Sequence, residues 1–250
     1  MKSPESTRPE KEKTSQKVAP GIHRPSPGHF LRATLAVARK DLLAEIRSRD
    51  LLSAMFAFAL LVILVFNFAL ELDVTTRSSV TSGVLWVTFI FAGTLGLNRA
   101  LAIEKDRSCL DGLLLAPVDR TAVYFGKFIS SLAFMLIVEI VVLPVYGLLY
   151  NMNLLHPGLL LVILLGSTGF IAAGLLLSSM TIQTRTRDVL LPVVLFPVVL
   201  PVVIASVKAS AGYLQGLDPA DILPWINQLI ACDVIFIAVA LMTFDLIVEE

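Results

Sequence analysis

Glu139 is the residue in this chain whose chemistry packing explains least. It stands inside the apolar run 128–149, where a charge costs about 2.5–3.5 kcal/mol on insertion scales. A carboxyl there can take up a proton, hold an ion or touch a substrate. It can equally be a neutral or paired acid at a helix or subunit interface, with Asn67 as a candidate partner. Both readings stay open, because an isolated acid without a visible relay defines no pathway. His156 could ligate a metal or haem; it could also cap the short turn LHPG, and a single His without a partner favours the cap. Trp86, Tyr146, Tyr150, Tyr213 and Trp225 fall towards one end of their apolar runs. Trp86, His156 and Trp225 are therefore candidates for a haem or partner surface. An ordinary aromatic belt explains the same pattern.

Other chemistries are not encoded. Gly126-Lys127 is followed by Phe128, and Thr121 stands where a phosphate loop needs its first glycine, so no P-loop for ATP is present. There is no HExxH and no GxSxG. Cys109 and Cys232 lie far apart without CxxC spacing, and read as small hydrophobes. A non-catalytic chain is expected, with no metal and no resident cofactor.

One further segment is built for contact. Residues 104–127, EKDRSCLDGLLLAPVDRTAVYFGK, carry acids, bases and a leucine cluster, with Pro117 breaking the middle. Leu110, Leu113 and Leu114 share one helical face, while Asp106, Arg107 and Asp111 lie largely elsewhere. A linker has no use for such a pattern. A surface that grips a driving partner does.

The elements that must position these residues are membrane spans. The 250 residues are 56% hydrophobic and 16% charged, with mean hydropathy +0.81, which is too apolar for an ordinary soluble domain. The formal charge is zero, so nothing draws the chain to nucleic acid. Crossing a bilayer takes roughly 20 apolar residues. Six runs qualify: 51–70, 80–97, 128–149, 159–180, 189–207 and a weaker 229–248, which has Asp233 near one end and Asp245 near the other. Pro192, Pro197 and Pro201 predict a bent or broken fifth span. The connection 208–228 is longer than a turn needs and has room for re-entrant or surface helices.

Residues 1–29 are rich in Lys, Glu, Ser and Pro and read as a disordered tail without a signal peptide. Residues 30–50 read as an interfacial helix. Leu31, Leu35, Ala38, Leu42 and Ile46 form one stripe, with Arg32, Arg39, Lys40 and Arg47 opposite. That stripe suits the bilayer surface or the protein's own loop. Eleven Lys or Arg precede the first span, five lie in 99–127, and Arg185 and Arg187 follow the fourth span. The remaining connections hold only Arg77 and Lys208. The positive-inside rule then puts both termini and segment 104–127 in the cytoplasm.

These residues resemble a known family. GVLWVTFIFAGTLGLNRA (83–100), DGLLLAPVDR (111–120), KDLLAEIRSRDLLSAMFAFALLVILVFNFA (40–69) and the closing FDLIVEE are similar to the haem exporter B (CcmB) family of cytochrome c maturation. The similarity runs from about residue 35 to 250. It implies an all-α integral membrane protein with six transmembrane helices and ABC-2-type permease architecture, in the bacterial inner membrane. It implies a homodimer seated on a separate ATPase, CcmA, which binds the ATP, with haem as cargo. CcmC, CcmD and the haem chaperone CcmE are the implied associates. By the same resemblance Glu104, Asp106, Leu110, Asp111, Leu113, Leu114, Pro117 and Asp119 match the ATPase-coupling segment. No haem-ligand motif carries over. Ser108-Cys109 replaces the small pair that the family pattern leads one to expect. A generic ABC-2 exporter of a lipid, polysaccharide or drug-like substrate is the alternative function.

Overall fold

The computed structural model describes residues 27–69, 74–106, 120–152, 154–181 and 187–247, and the surroundings of side chains in a slightly narrower set. The described residues are all helical apart from short turns. In chain order the helices are α1 (Pro27–Ser48), α2 (Asp50–Ala69), α3 (Val74–Asp106), α4 (Arg120–Tyr150), α5 (Pro157–Thr181), α6 (Arg187–Gln215) and α7 (Pro219–Ile247). Six of them, α2 to α7, are long and apolar enough to cross a membrane. The chain is thus an all-α integral membrane protein with six spanning helices, preceded by α1.

Burial orders the bundle. In the α3 and α5 spans 72% of residues are buried, against 17% in α7, so α3 and α5 form the centre and α7 lies at the rim. Against α5 pack α4, α6 and α7; α2 packs on α3 and α4; α1 packs on α4. Lipid tails are as apolar as leucine, so no hydrophobic drive pulls such helices together, and close packing must do it. Small residues serve that purpose on α5. At Gly166 a β-carbon would overlap the Trp86 indole of α3 and the Ser206 hydroxyl of α6.

The turns carry their own signals. Asn151 takes a left-handed conformation (φ 50°) and ends α4, with the Met152 N–H returning to the Gly147 carbonyl at 3.0 Å. His156 then caps α5. Its Nδ1 accepts the Gly158 N–H at 3.2 Å, and Pro157 occupies the first helical position. Gly216 (φ 68°) ends α6, with the Leu217 N–H on the Gly212 carbonyl at 3.0 Å. Asp218 and Pro219 start α7 at once, Asp221 N–H bonding back to the Asp218 carbonyl at 3.0 Å.

That tight turn corrects the expected long connection. Helix α6 continues to Gln215, and α7 begins at Pro219 rather than near 229, with Pro224 inside it. The fifth span is also unbroken despite its three prolines. Pro197 and Pro201 sit on its exposed side, while Leu191, Leu195, Val199 and Val202 keep a regular buried stripe through them. Packing on that face holds the helix where proline has removed single N–H groups. Gln228 of α7 also donates to the Pro201 carbonyl at 3.3 Å, tying the two helices.

Helix α1 divides its surface between the protein and the exterior. It packs on α4, with Thr34 and Val37 against Gly126 and Asp41 against Lys127 and Ser130, and Ala38 and Glu45 are buried too, whereas Leu31, Leu35 and Ile46 are 60%, 60% and 63% exposed. Leu31, Leu35 and Ile46 therefore point away from the protein's own core, while Ala38 of the same stripe is buried and Leu42 packs against the core. At the join to α2, Arg49 is left-handed (φ 57°), and the Glu45 carboxylate accepts the Leu52 N–H at 2.8 Å. A buried glutamate thus caps the next helix and sets the elbow.

Candidate functional site

Glu139 lies in the bundle interior, 1% exposed. The Ser167 hydroxyl of α5 donates to its Oε1, while Oε2 has no hydrogen-bond partner. The partner anticipated from sequence was Asn67; the hydrogen bond goes to α5 instead, and Asn67 is half-buried near the end of α2. Residue 167 falls near the middle of the α5 span, so the carboxyl sits at depth. The α4–α5 contact therefore carries this polar link and a second one, the Tyr124 hydroxyl donating to the Ala172 carbonyl at 3.3 Å, in an otherwise apolar interface.

At the opposite side of α5 stands an acid that the sequence reading placed at a span end. Moving the start of α7 to Pro219 puts Asp233 in the middle of the span Pro219–Thr243. It is buried, and neither of its carboxyl oxygens has a hydrogen-bond partner. The missed signal was turn chemistry: Gly216 followed by Asp218-Pro219 is a helix stop and a helix start.

The proposed aromatic surface separates into buried and exposed parts. Trp86 is 1% exposed, its indole N–H donating to Ser210 Oγ at 2.9 Å and its ring edge-on to Phe89. It is a packing residue tying α3 to α6, not part of an outer surface. Tyr146 stacks on Tyr150 at 4.3 Å and donates to the Thr81 carbonyl at 2.8 Å, so these rings are interior too. His156 is exposed beside the Tyr213 ring at 5.3 Å. Its Nδ1 is committed to the α5 cap, as the turn reading expected. Trp225 is half-buried against the core. Among the described residues no group of three His, Cys, Asp or Glu side chains could hold a metal ion.

Of the coupling residues, Glu104 and Asp106 lie in the last turns of α3, with side chains outside the described set. Leu110, Asp111, Leu113, Leu114, Pro117 and Asp119 lie outside the described residues altogether. The far end of segment 104–127 is on view. There α4 begins at Arg120, and Lys127 Nζ lies 3.7 Å from Asp41 Oδ2 on α1. Ser130 donates to the same oxygen at 3.2 Å. At Gly126 a β-carbon would stand 2.6 Å from Val37 Cβ and 2.9 Å from the Thr34 carbonyl oxygen, so the two helices cross almost backbone to backbone. The exit of the segment is therefore fastened to α1.

The chain matches the family described as CcmB protein over residues 32–248. It is similar to proteins named heme exporter protein B. The one from Bradyrhizobium diazoefficiens is 26% identical over 190 residues, covering 74% of this chain and 84% of that protein. Its counterpart in Paracoccus denitrificans is 27% identical over 188 residues, with 74% and 85% covered. The Pseudomonas aeruginosa protein is 24% identical over 199 residues, with 79% and 89% covered.

Proposed function

The chain belongs to the CcmB protein family, and from that premise we propose that it is the membrane-spanning subunit of an ABC-type haem exporter in cytochrome c maturation. The observation that carries this reading is the match over residues 32–248 on a bundle of six apolar helices. The sequence has no phosphate-cradling loop, so the energy must come from another chain. Segment 104–127 is the surface for that ATPase. Its charged, leucine-bearing pattern suits a gripping helix, and its exit is locked to α1 through Lys127 and Asp41. In the cell both termini and this segment face the cytoplasm, the Lys and Arg distribution supporting that orientation. The assembly is a dimer of this chain on two ATPase subunits, with haem-handling membrane partners beside it. ATP hydrolysis drives either haem transfer or release of the haem-loaded chaperone.

The test is affinity purification of the tagged chain from its native membranes. The ATPase and the haem-handling partners should co-purify, and ATP hydrolysis should need the ATPase subunit. Recovery of the ATPase with no haem-handling protein, and normal holocytochrome in a deletion strain, would favour an exporter of another substrate. Leu110→Asp with Leu113→Asp should abolish ATPase recovery while membrane insertion persists, since unpaired charge in a water-excluding contact costs several kcal/mol.

A further inference from the structure

Asp233 of α7 is 6% exposed, and both of its carboxyl oxygens lack hydrogen-bond partners. Its Oδ1 occupies the space where a β-carbon on Gly169 of α5 would stand. Val202 of α6 closes the same spot with methyls at 3.3 and 3.4 Å. Three residues earlier on α5, Gly166 meets the Ser206 hydroxyl of α6, which is also buried without a partner. Residues three apart share a helix face, so the acid and the hydroxyl look onto one glycine surface, about 4.5 Å apart along it.

Buried polar groups are normally paired, and a buried carboxylate without a counter-charge pays most of its desolvation cost. Among the described residues of the helices packed on it, none pairs a counter-charge with this one. On α5 the described residues include no titratable group. On α6 Lys208 is exposed to the outside. On α4 Glu139 is bonded to Ser167, which lies about 200° around α5 from Gly169. On α7 itself Cys232, the preceding residue, is half-buried. In this packing a neutral carboxyl costs less than an anion does. The helix carrying it is the least buried span of the bundle, with Val234 and Ile235 at its outer surface.

We propose that Asp233, with Ser206 and the Gly166–Gly169 face of α5, forms a proton-binding site in the membrane interior that locks α7 to the bundle. With the proton on, α7 packs against α5 and α6. When the carboxyl O–H bond breaks, the proton passes to water, and the carboxylate left behind requires α7 to part from α5 and admit that water. The site goes beyond the exporter reading and holds whichever cargo is carried.

The full chain in lipid nanodiscs, with Cys109→Ser, leaves Cys232 as a reporter one residue away. Its reaction rate with a small membrane-permeant thiol reagent is measured against pH, with and without Asp233→Asn. An ionised Asp233 opposes thiolate formation beside it in the parent alone and so lowers the parent's rate, which means that a rise in the ratio reports opening of the helix and not thiol chemistry. The ratio of parent to Asp233→Asn should rise with pH by up to about tenfold per unit while the carboxyl titrates, and Asp233→Glu should retain a rise. A ratio flat across pH overturns the proposal. Should Asp233→Asn fail to fold, the parent chain labelled with carbon-13 aspartate still decides. A protonated-carboxyl infrared band should persist at neutral pH and shift with the label; its absence overturns the proposal.

Discussion

Lys127 and Asp41 meet across the α1–α4 crossing, 3.7 Å from Nζ to Oδ2, with the Ser130 hydroxyl on the same oxygen at 3.2 Å. Lys127 closes segment 104–127, and Asp41 sits in the second half of α1. The pair fastens the exit of the connecting segment to the helix that leads into the first span. Asp41→Ala removes the acceptor from both donors and should weaken the docking of α1 by about 1–3 kcal/mol. Asp41→Asn keeps an acceptor for Ser130 and should lose less. Protease cleavage within α1, followed in detergent, reads the difference. Equal protection in Asp41→Ala and the parent would show that the pair holds nothing.

Gly126 makes a sharper claim on the same crossing. Its missing β-carbon would stand 2.6 Å from Val37 Cβ and 2.9 Å from the Thr34 carbonyl oxygen. One of those neighbours is backbone and cannot rotate away. Gly126→Ala should therefore push α1 off α4 and cost about 1–3 kcal/mol, as overpacking does. Adding Val37→Ala removes the Val37 Cγ1 contact at 2.8 Å and should recover part of the loss and not all of it, because the contacts with the residue 37 β-carbon and the carbonyl remain. Thermal unfolding of the two variants checks this. Gly126→Ala with an unchanged midpoint would show that the helices cross more loosely.

The six spans were legible because 20-residue apolar runs are an unambiguous signal. What escaped was governed by partners rather than by hydropathy. On α1 the leucine stripe was legible, but the residues turned into the protein include Thr34, Asp41 and Glu45. Asp41 and Glu45 go inward because Ser130, Lys127 and the Leu52 N–H meet them there. The leucines lose nothing by facing lipid. Trp86 looked like a belt residue, yet Ser210, 124 positions away, satisfies its N–H and Gly166 makes room for its ring. Asp233 was misplaced in depth because one Gly-Leu-Asp-Pro turn was read as part of a long loop. The coupling residues Leu110 to Asp119 fall outside the described residues, so their role rests on the family resemblance and on their pattern.

Leu217 offers a clean test of orientation. It is 47% exposed in the tight turn between α6 and α7. With both termini cytoplasmic, an odd number of spans puts this turn on the outer side. A cysteine at 217 should react with an impermeant thiol reagent in intact cells, and a cysteine at 119 should react only after permeabilisation. The same substitutions at unchanged expression supply the control. Labelling of 119 in intact cells would invert the topology and remove segment 104–127 from reach of a cytoplasmic ATPase.

Glu139 and Ser167 decide between packing and transport at the centre of the bundle. The Ser167 hydroxyl donates to Oε1, in an interface where neither group meets water. An acid so placed is expensive to ionise, and its simplest role is a polar link between α4 and α5. Glutamine keeps an acceptor oxygen for Ser167 and nearly the same volume. Glu139→Gln should therefore assemble with its partners and support holocytochrome formation at nearly the parent level. Glu139→Leu leaves the Ser167 hydroxyl without its acceptor and should cost about 1–3 kcal/mol, seen as reduced recovery of the complex. Ser167→Ala in the Glu139→Leu background should restore part of that loss, because the stranded donor is gone. The discriminating result is Glu139→Gln. A variant that assembles fully yet makes no holocytochrome would mean that the carboxyl exchanges a proton or touches cargo during the cycle, and the structural role would fall.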